Sequence, residues 1–234
     1  IAIYAVVNFS GAHINPAVTI ALAMFHGFEK HKVAPYIASQ FLGAFCSAAL
    51  IYSLYYQLFV DYELAHNLSR ESIGALATAG IFAMYPHEAL SFWGAFSVEF
   101  VITAVLMFAI LALGDEKNGA PRGAMNPLLV GLLIAVIGAS LGPLTGFAMN
   151  PARDFGPRLF TYFAGWEYSL SGAKDIPYFI IPIFAPIFGA CFGAWLYPTL
   201  IGHSLSQESH GCTIPNDCEA PVIRNTSETR IERG

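Results

Sequence analysis

The chain has 234 residues and a formal net charge of −5, with 56% hydrophobic and only 12% charged residues. An average globular domain carries about 25% charged residues, and the apolar residues here lie in long runs, so a soluble protein with an ordinary polar surface is excluded.

In chain order, the first motif comes at once. IAIYAVVNFSGAHINPAVTIAL sets Gly11-x-x-x-Asn15-Pro16-Ala17 before a short apolar stretch of helical character, 17–25. Asn is a strong N-cap and Pro is favoured at the first helical position, so the triplet starts a helix. After Lys30 and Lys32 comes a run at 33–59, long enough at about 20 residues to cross a bilayer. The segment 60–93 is acidic, with Asp61, Glu63, Glu71 and Glu88 against Arg70. A second long run at 94–113 contains Glu99, and Lys117 and Arg122 follow in the connection 114–126. The third run, 127–144, leads into LGPLTGFAMNPARDFGPRLF. There Gly146-x-x-x-Asn150-Pro151-Ala152 repeats the first motif ahead of a helical stretch at 152–163. The last run is 177–201. From about 203 the chain is polar without apolar period, and a disordered tail is predicted.

These runs exceed the apolar region of a signal peptide and lack its flanks. The chain reads as a multi-pass membrane protein with its transmembrane domain over 1–201 and its tail over 202–234. Cationic connections stay cytoplasmic, which puts 26–32, 114–126 and the C-terminus (Arg224, Arg230, Arg233) inside and 60–93 outside. The second triplet then enters from outside and the first from inside, an inverted repeat with one discontinuous helix per half. The second repeat, 94–201, has two spans ahead of its triplet, whereas Asn15 has only fourteen residues before it. The first repeat, 1–59, is therefore expected to be incomplete, within a protein of six spans and two half-spans. Cys46 and Cys191 read as small apolar fillers. Cys212 and Cys218 lack the partners of a metal site. The tripeptides at Asn67 and Asn225 match a glycosylation acceptor that recurs by chance.

Unpaired backbone groups in hydrocarbon cost several kcal/mol, so broken helices occur at membrane depth only around a watery cavity or inside protein. Each helix N-terminus carries about half a positive charge. Two of them meeting at the midplane, with Asn15 and Asn150 as amide donors, would admit a neutral hydroxyl and repel cations. The Gly-x-x-x segments are expected to approach in extended form with their carbonyls facing a lumen.

SGAHINPAVT and GFAMNPARDFGP resemble the two signature loops of the major intrinsic protein family, over residues 1 to about 201. Asp154 after Arg153, and Gly138 where water-selective members place a pore-narrowing His, resemble its aquaglyceroporin branch. The resemblance implies an all-α membrane fold, an aquaporin-like right-handed bundle of inverted repeats. It implies a passive channel for glycerol and other small uncharged polyols, with some water, that excludes ions and protons. Asn15, Pro16, Ala17, Asn150, Pro151 and Ala152 would form the pore centre. Gly138, Phe147 and Arg153 would form the filter, with Gly138 leaving room, and a further filter residue would precede residue 1. The carbonyls of Gly11, Ala12, His13, Gly146, Phe147 and Ala148 would form an acceptor ladder. It also implies a homotetramer in a lipid membrane, the bacterial inner membrane for a glycerol uptake facilitator, with no cofactor, metal or nucleic-acid partner.

Glu99, an ionisable group within a span, must accept hydrogen bonds or be protonated. The resemblance has it hold the second loop; a proton relay is the alternative. Asp154 is read as bracing an adjacent loop. His13 either lines the pore or packs its own loop. Ser39, Gly43 and Ser47, the pair Gly138 and Gly142, and the pair Gly189 and Gly193 are small-residue faces for close helix contact. A water-selective channel and an ion-coupled transporter remain as alternatives. The transporter requires several titratable groups at the midplane, and an enzyme requires a catalytic cluster that the spans lack.

Overall fold

The computed structural model describes residues 1–120 and 123–202, and every element among them is helical. Arg122 and the polar tail, with Cys212, Cys218, Arg224, Asn225, Arg230 and Arg233, lie outside the described residues. The helices are α1 (Ala2–Ser10), α2 (Pro16–Phe25), α3 (Lys30–Ala65), the short α4 (Leu76–Ala79), α5 (Phe92–Gly114), α6 (Met125–Thr145), α7 (Pro151–Phe163) and α8 (Ile180–Tyr197). A π-helical turn, Pro198–Gly202, continues α8.

Four helices among the described residues are long and apolar enough to cross a membrane: α3, α5, α6 and α8 with its terminal turn. They fall on the four predicted runs. The largest difference is α3, whose 36 residues rise about 54 Å, well beyond a hydrocarbon core of about 30 Å. Its polar ends, Lys30–Lys32 and Asp61–Ala65, carry the helix past the apolar run, so Asp61 and Glu63 stand on a helix rather than in a loop. The two short stretches are α2 and α7, each opened by its Asn-Pro.

Small residues set the helix contacts. A Cβ on Gly189 would strike the Phe100 carbonyl, and one on Gly193 would strike that of Ala104, so α8 lies directly on the backbone of α5. A Cβ on Gly156 would stand 2.8 Å from the Ala44 Cβ, which brings α7 equally close to α3. The Ser39–Gly43–Ser47 face differs from expectation. All three are exposed, and nothing lies within 4 Å of a Cβ on Gly43, so among the described residues this face bounds a cavity rather than a helix contact.

Outside the spans, Arg70 ties the connection after α3 to the end of α7. It donates to Glu63 at 2.9 and 3.1 Å, to the Tyr52 hydroxyl at 2.9 Å and to the Ala164 carbonyl at 3.0 Å, and lies 3.9 Å from the Trp166 ring centre. Burial disfavours the Arg70 cation, but Glu63 and Tyr52 outweigh it and raise its pKa. Large apolar side chains such as Leu54, Trp93, Val136 and Phe163 are more than half exposed. That surface suits lipid or neighbouring protein and not water.

Candidate functional site

The site is built from the two loops that end in Asn-Pro-Ala. Each begins with a glycine in the left-handed region, Gly11 at φ 67° and Gly146 at φ 78°. The next residue and the one before Asn are left-handed too: Ala12 (52°) and Ile14 (51°), Phe147 (48°) and Met149 (51°). Both loops thus repeat one conformation residue for residue. It is not the extended approach expected from the sequence, because three of every four residues turn the chain the other way. Four of those residues carry a Cβ, and each costs roughly 1–2 kcal/mol in this region.

The asparagines then re-enter ordinary extended geometry, Asn15 at φ −155°, ψ 119° and Asn150 at φ −154°, ψ 111°. Asn15 Oδ1 accepts from Ala17 N at 2.9 Å; Asn150 Oδ1 accepts from Ala152 N at 3.1 Å and Arg153 N at 3.2 Å. These are the N-caps of α2 and α7, with Pro16 and Pro151 at the first helical position, where no amide is needed. The amide nitrogens cross between the halves. Asn15 Nδ2 donates to the Met149 carbonyl and Asn150 Nδ2 to the Ile14 carbonyl, both at 2.8 Å. The two helix N-termini are therefore locked against each other, and each side-chain amide keeps a second N–H beyond these bonds.

The carbonyls of Ile14 and Met149 are consumed by that exchange. Those of Gly11, Ala12, His13, Gly146, Phe147 and Ala148 accept no hydrogen bond from the described residues. Six acceptors in two matching loops are thus left for a partner outside the protein backbone.

Different groups hold the two loops. Glu99 of α5, fully buried, accepts from Thr145 Oγ1 at 2.7 Å and Ala148 N at 2.9 Å on one oxygen, and from Met149 N at 2.9 Å on the other. Both oxygens act as acceptors, as an ionised carboxylate's do. The first loop is held by side chains. Tyr36 donates to the Ser10 carbonyl at 3.2 Å. Thr19 spends its proton on the Asn15 carbonyl at 3.0 Å, so it accepts from Gln40 Nε2 at 3.2 Å and from His13 Nδ1 at 3.1 Å. The His13 ring also packs edge-on against Phe28, 4.5 Å between centres. Of the two readings of His13, its ring is engaged in packing the loop.

Phe147 and Gly138 meet directly. A Cβ on Gly138 would stand 2.9 Å from Phe147 Cζ, and one on Gly142 would stand 3.0 Å from Phe147 Cδ1. The room left by Gly138 is filled by the Phe147 ring, and Gly142, read as part of a helix-contact face, shares the seat. Arg153 sits on the first turn of α7 and donates from Nη1 to the Phe82 carbonyl at 3.5 Å, a long bond. With Asn150, Phe82, Gln40 and Gly43 it lines an open cavity of about 540 Å³.

Asp154 faces away from that cavity and is fully buried. It accepts from Met84 N at 2.8 Å and pairs with Arg158, which is also fully buried, through Nε at 2.8 Å and Nη2 at 3.1 Å. Arg158, and Thr145 as a donor to Glu99, escaped the sequence reading. The Asp154–Arg158 spacing of four on a short helix was the available signal for the first; for Thr145, its place directly before the second loop was the only hint.

A family model described as major intrinsic protein matches residues 1–197. A glycerol uptake facilitator protein of Haemophilus influenzae is 60% identical over 206 residues, 88% of this chain and 78% of the relative. A propanediol uptake facilitator of Salmonella typhimurium is 56% identical over 206 residues, with the same shares. Among solved structures, the aquaglyceroporin from Plasmodium falciparum superposes with a TM-score of 0.73 at 30% identity, covering 88% of this chain and 79% of that one.

Proposed function

The chain belongs to the major intrinsic protein family, and we propose that it is a passive channel for glycerol and other small, uncharged, linear polyols, with some water. It is an integral membrane protein, and the residues that carry the conduction are those of the two loops. Asn15-Pro16-Ala17 and Asn150-Pro151-Ala152 form the pore centre. Their second amide N–H groups donate to a passing hydroxyl, and the positive N-termini of α2 and α7 repel cations. This is the exclusion known for aquaporin-type pores.

The observation that carries the reading is the set of six loop carbonyls with no partner among the described residues. At membrane depth such acceptors need water or a solute. Three in a row ahead of each asparagine, they suit a molecule with several hydroxyls moving in single file. Phe147 gives the carbon skeleton an apolar wall, and the Arg153 N–H groups not used on Phe82 donate to its hydroxyls. An ion in the same path would lose its hydration without full replacement. An ion-coupled transporter fits less well, because Glu99 is fully occupied by three donors.

We assign the channel to residues 1–201 of a homotetramer with one pore per protomer, in a bacterial inner membrane. The 26–32 and 114–126 connections and the C-terminus lie on the cytoplasmic side. The test is stopped-flow light scattering of proteoliposomes under an inward glycerol gradient. Glycerol flux above that of empty liposomes, unchanged by collapsing proton and sodium gradients, is expected. Rapid water flux without glycerol flux would make the chain a water channel instead.

A further inference from the structure

Arg158 has no part in the pore as described, yet it is a fully buried charge. A buried ion pair braces no better than a well-packed apolar pair, and its best-attested use is to fix register. What this pair fixes is a single residue of the outer segment. Asp154 Oδ2 takes the Met84 N–H at 2.8 Å, and Arg158 Nη2 donates to the Met84 carbonyl. Both backbone groups of Met84 are thus gripped by adjacent turns of α7. The fork is completed by Arg158 Nη1 on the Ser169 carbonyl at 2.6 Å, with the guanidinium 4.6 Å from the Tyr85 ring centre. Three residues beyond Met84, His87 N donates to the Leu144 carbonyl at 2.8 Å, pinning the segment to the end of α6.

Two residues before Met84 stands Phe82, whose carbonyl is the hydrogen-bond partner of the Arg153 guanidinium. Its ring is held on the other side, stacked 5.4 Å from Phe59. Met84 itself covers Gly146, the left-handed first residue of the second loop, where a Cβ would strike the Met84 side chain. The first two turns of α7 therefore supply both the Arg153 side chain and the anchor for its acceptor.

We propose that the Asp154–Arg158 pair, acting through Met84, places the Phe82 carbonyl that orients Arg153, so that Arg158 is a positioning residue for solute selectivity. The inference rests on the channel reading above. The bond from Arg153 to Phe82 is long, and a small shift of the carbonyl breaks it and frees the guanidinium to swing. Glycerol, which needs aligned donors, suffers more than water, which does not.

Arg158→Lys is the first test. A lysine ammonium keeps the charge opposite Asp154 but is a point donor that cannot span Met84 and Ser169 in one plane. In proteoliposomes the glycerol-to-water permeability ratio should fall about tenfold, the effect of losing one charge-assisted hydrogen bond from the filter. The ratio is independent of how much protein inserts, so a merely structural role leaves it unchanged. On an Arg153→Val background, Arg158→Lys should change the ratio no further. An unchanged ratio in Arg158→Lys, or a further fall on the Arg153→Val background, overturns the proposal. If Arg158→Lys does not insert, the double variant Asp154→Asn/Arg158→Met, which orphans no charge, should show the same fall. Failure of both variants to insert also overturns it, because the pair then serves folding alone. A wild-type protein without glycerol flux removes the channel reading first, and is told apart by that control.

Discussion

Replacing Gly138 with histidine should close the path to glycerol by moving Phe147. A Cβ at this position would stand 2.9, 3.0 and 3.2 Å from Phe147 Cζ, Cε2 and Cε1, against about 3.5–4.0 Å for carbons in favourable contact. The ring cannot retreat along α6, because it also lies against Gly142, where a Cβ would be 3.0 Å away. An imidazole beyond that Cβ therefore drives the ring off α6 and towards the loop carbonyls. Overpacking of this kind costs about 1–3 kcal/mol, and about 1.4 kcal/mol is tenfold in rate. Passing glycerol must push the displaced ring back against that strain, so a barrier higher by about 1–3 kcal/mol lowers glycerol permeability roughly 5- to 150-fold, with water flux reduced less. Stopped-flow scattering of proteoliposomes matched for protein content measures both. Adding Phe147→Ala to Gly138→His should recover glycerol flux, since the displaced ring is the obstruction. Glycerol flux within about twofold of wild type in Gly138→His, under 0.5 kcal/mol on the same scale, would refute the reasoning, because Phe147 would then not border the path.

Glu99→Gln should lower the thermal stability of the solubilised protein by about 2–4 kcal/mol, since one of the Ala148 and Met149 amides is left without its acceptor in a buried site. Tryptophan fluorescence during heating reads it, and a melting curve superimposable on wild type would show that Glu99 does not hold the loop. Gly193→Leu should force α8 off the Ala104 backbone and cost about 1–3 kcal/mol or more by overpacking. A severalfold loss of monodisperse protein in detergent chromatography is expected, and wild-type yield and elution would count against the close α5–α8 contact.

The spans were legible because an apolar run of bilayer length is far longer than the buried stripe of a soluble helix requires. Their ends were not, since Lys30–Lys32 and Asp61–Ala65 are polar and still helical. The two half-helices were legible from a cap whose mechanism is local: Asn accepts from the next turn and Pro needs no amide. Loop conformation was legible only at Gly11 and Gly146. Ala12, Ile14, Phe147 and Met149 carry no sign of positive φ, because what holds each loop is distant in the sequence, Glu99 for the second and Tyr36 for the first. The grip of Asp154 and Arg158 on Met84 joins residues about seventy positions apart, and no spacing rule reaches that far. The room that Gly138 leaves is where the Phe147 ring lies, and the spacing of the two residues alone does not show that contact.

That left-handed geometry is where the cost and the function of the loops coincide. In ordinary extended chain, successive carbonyls point to opposite sides, and half of these acceptors would face packed protein. Alternating left-handed residues with ordinary ones changes the pattern, so that carbonyls along each loop are spared from backbone pairing together. The two strained residues of the second loop, Phe147 and Met149, cost about 2–4 kcal/mol between them. Glu99 offsets this with bonds to the Ala148 and Met149 amides beside them, each worth about 1.5–3 kcal/mol as a bond to a charged acceptor. A neutral acceptor would supply less. The loop amides that Glu99 accepts from are thus enough to account for a buried carboxylate in a span, without a proton-transfer role.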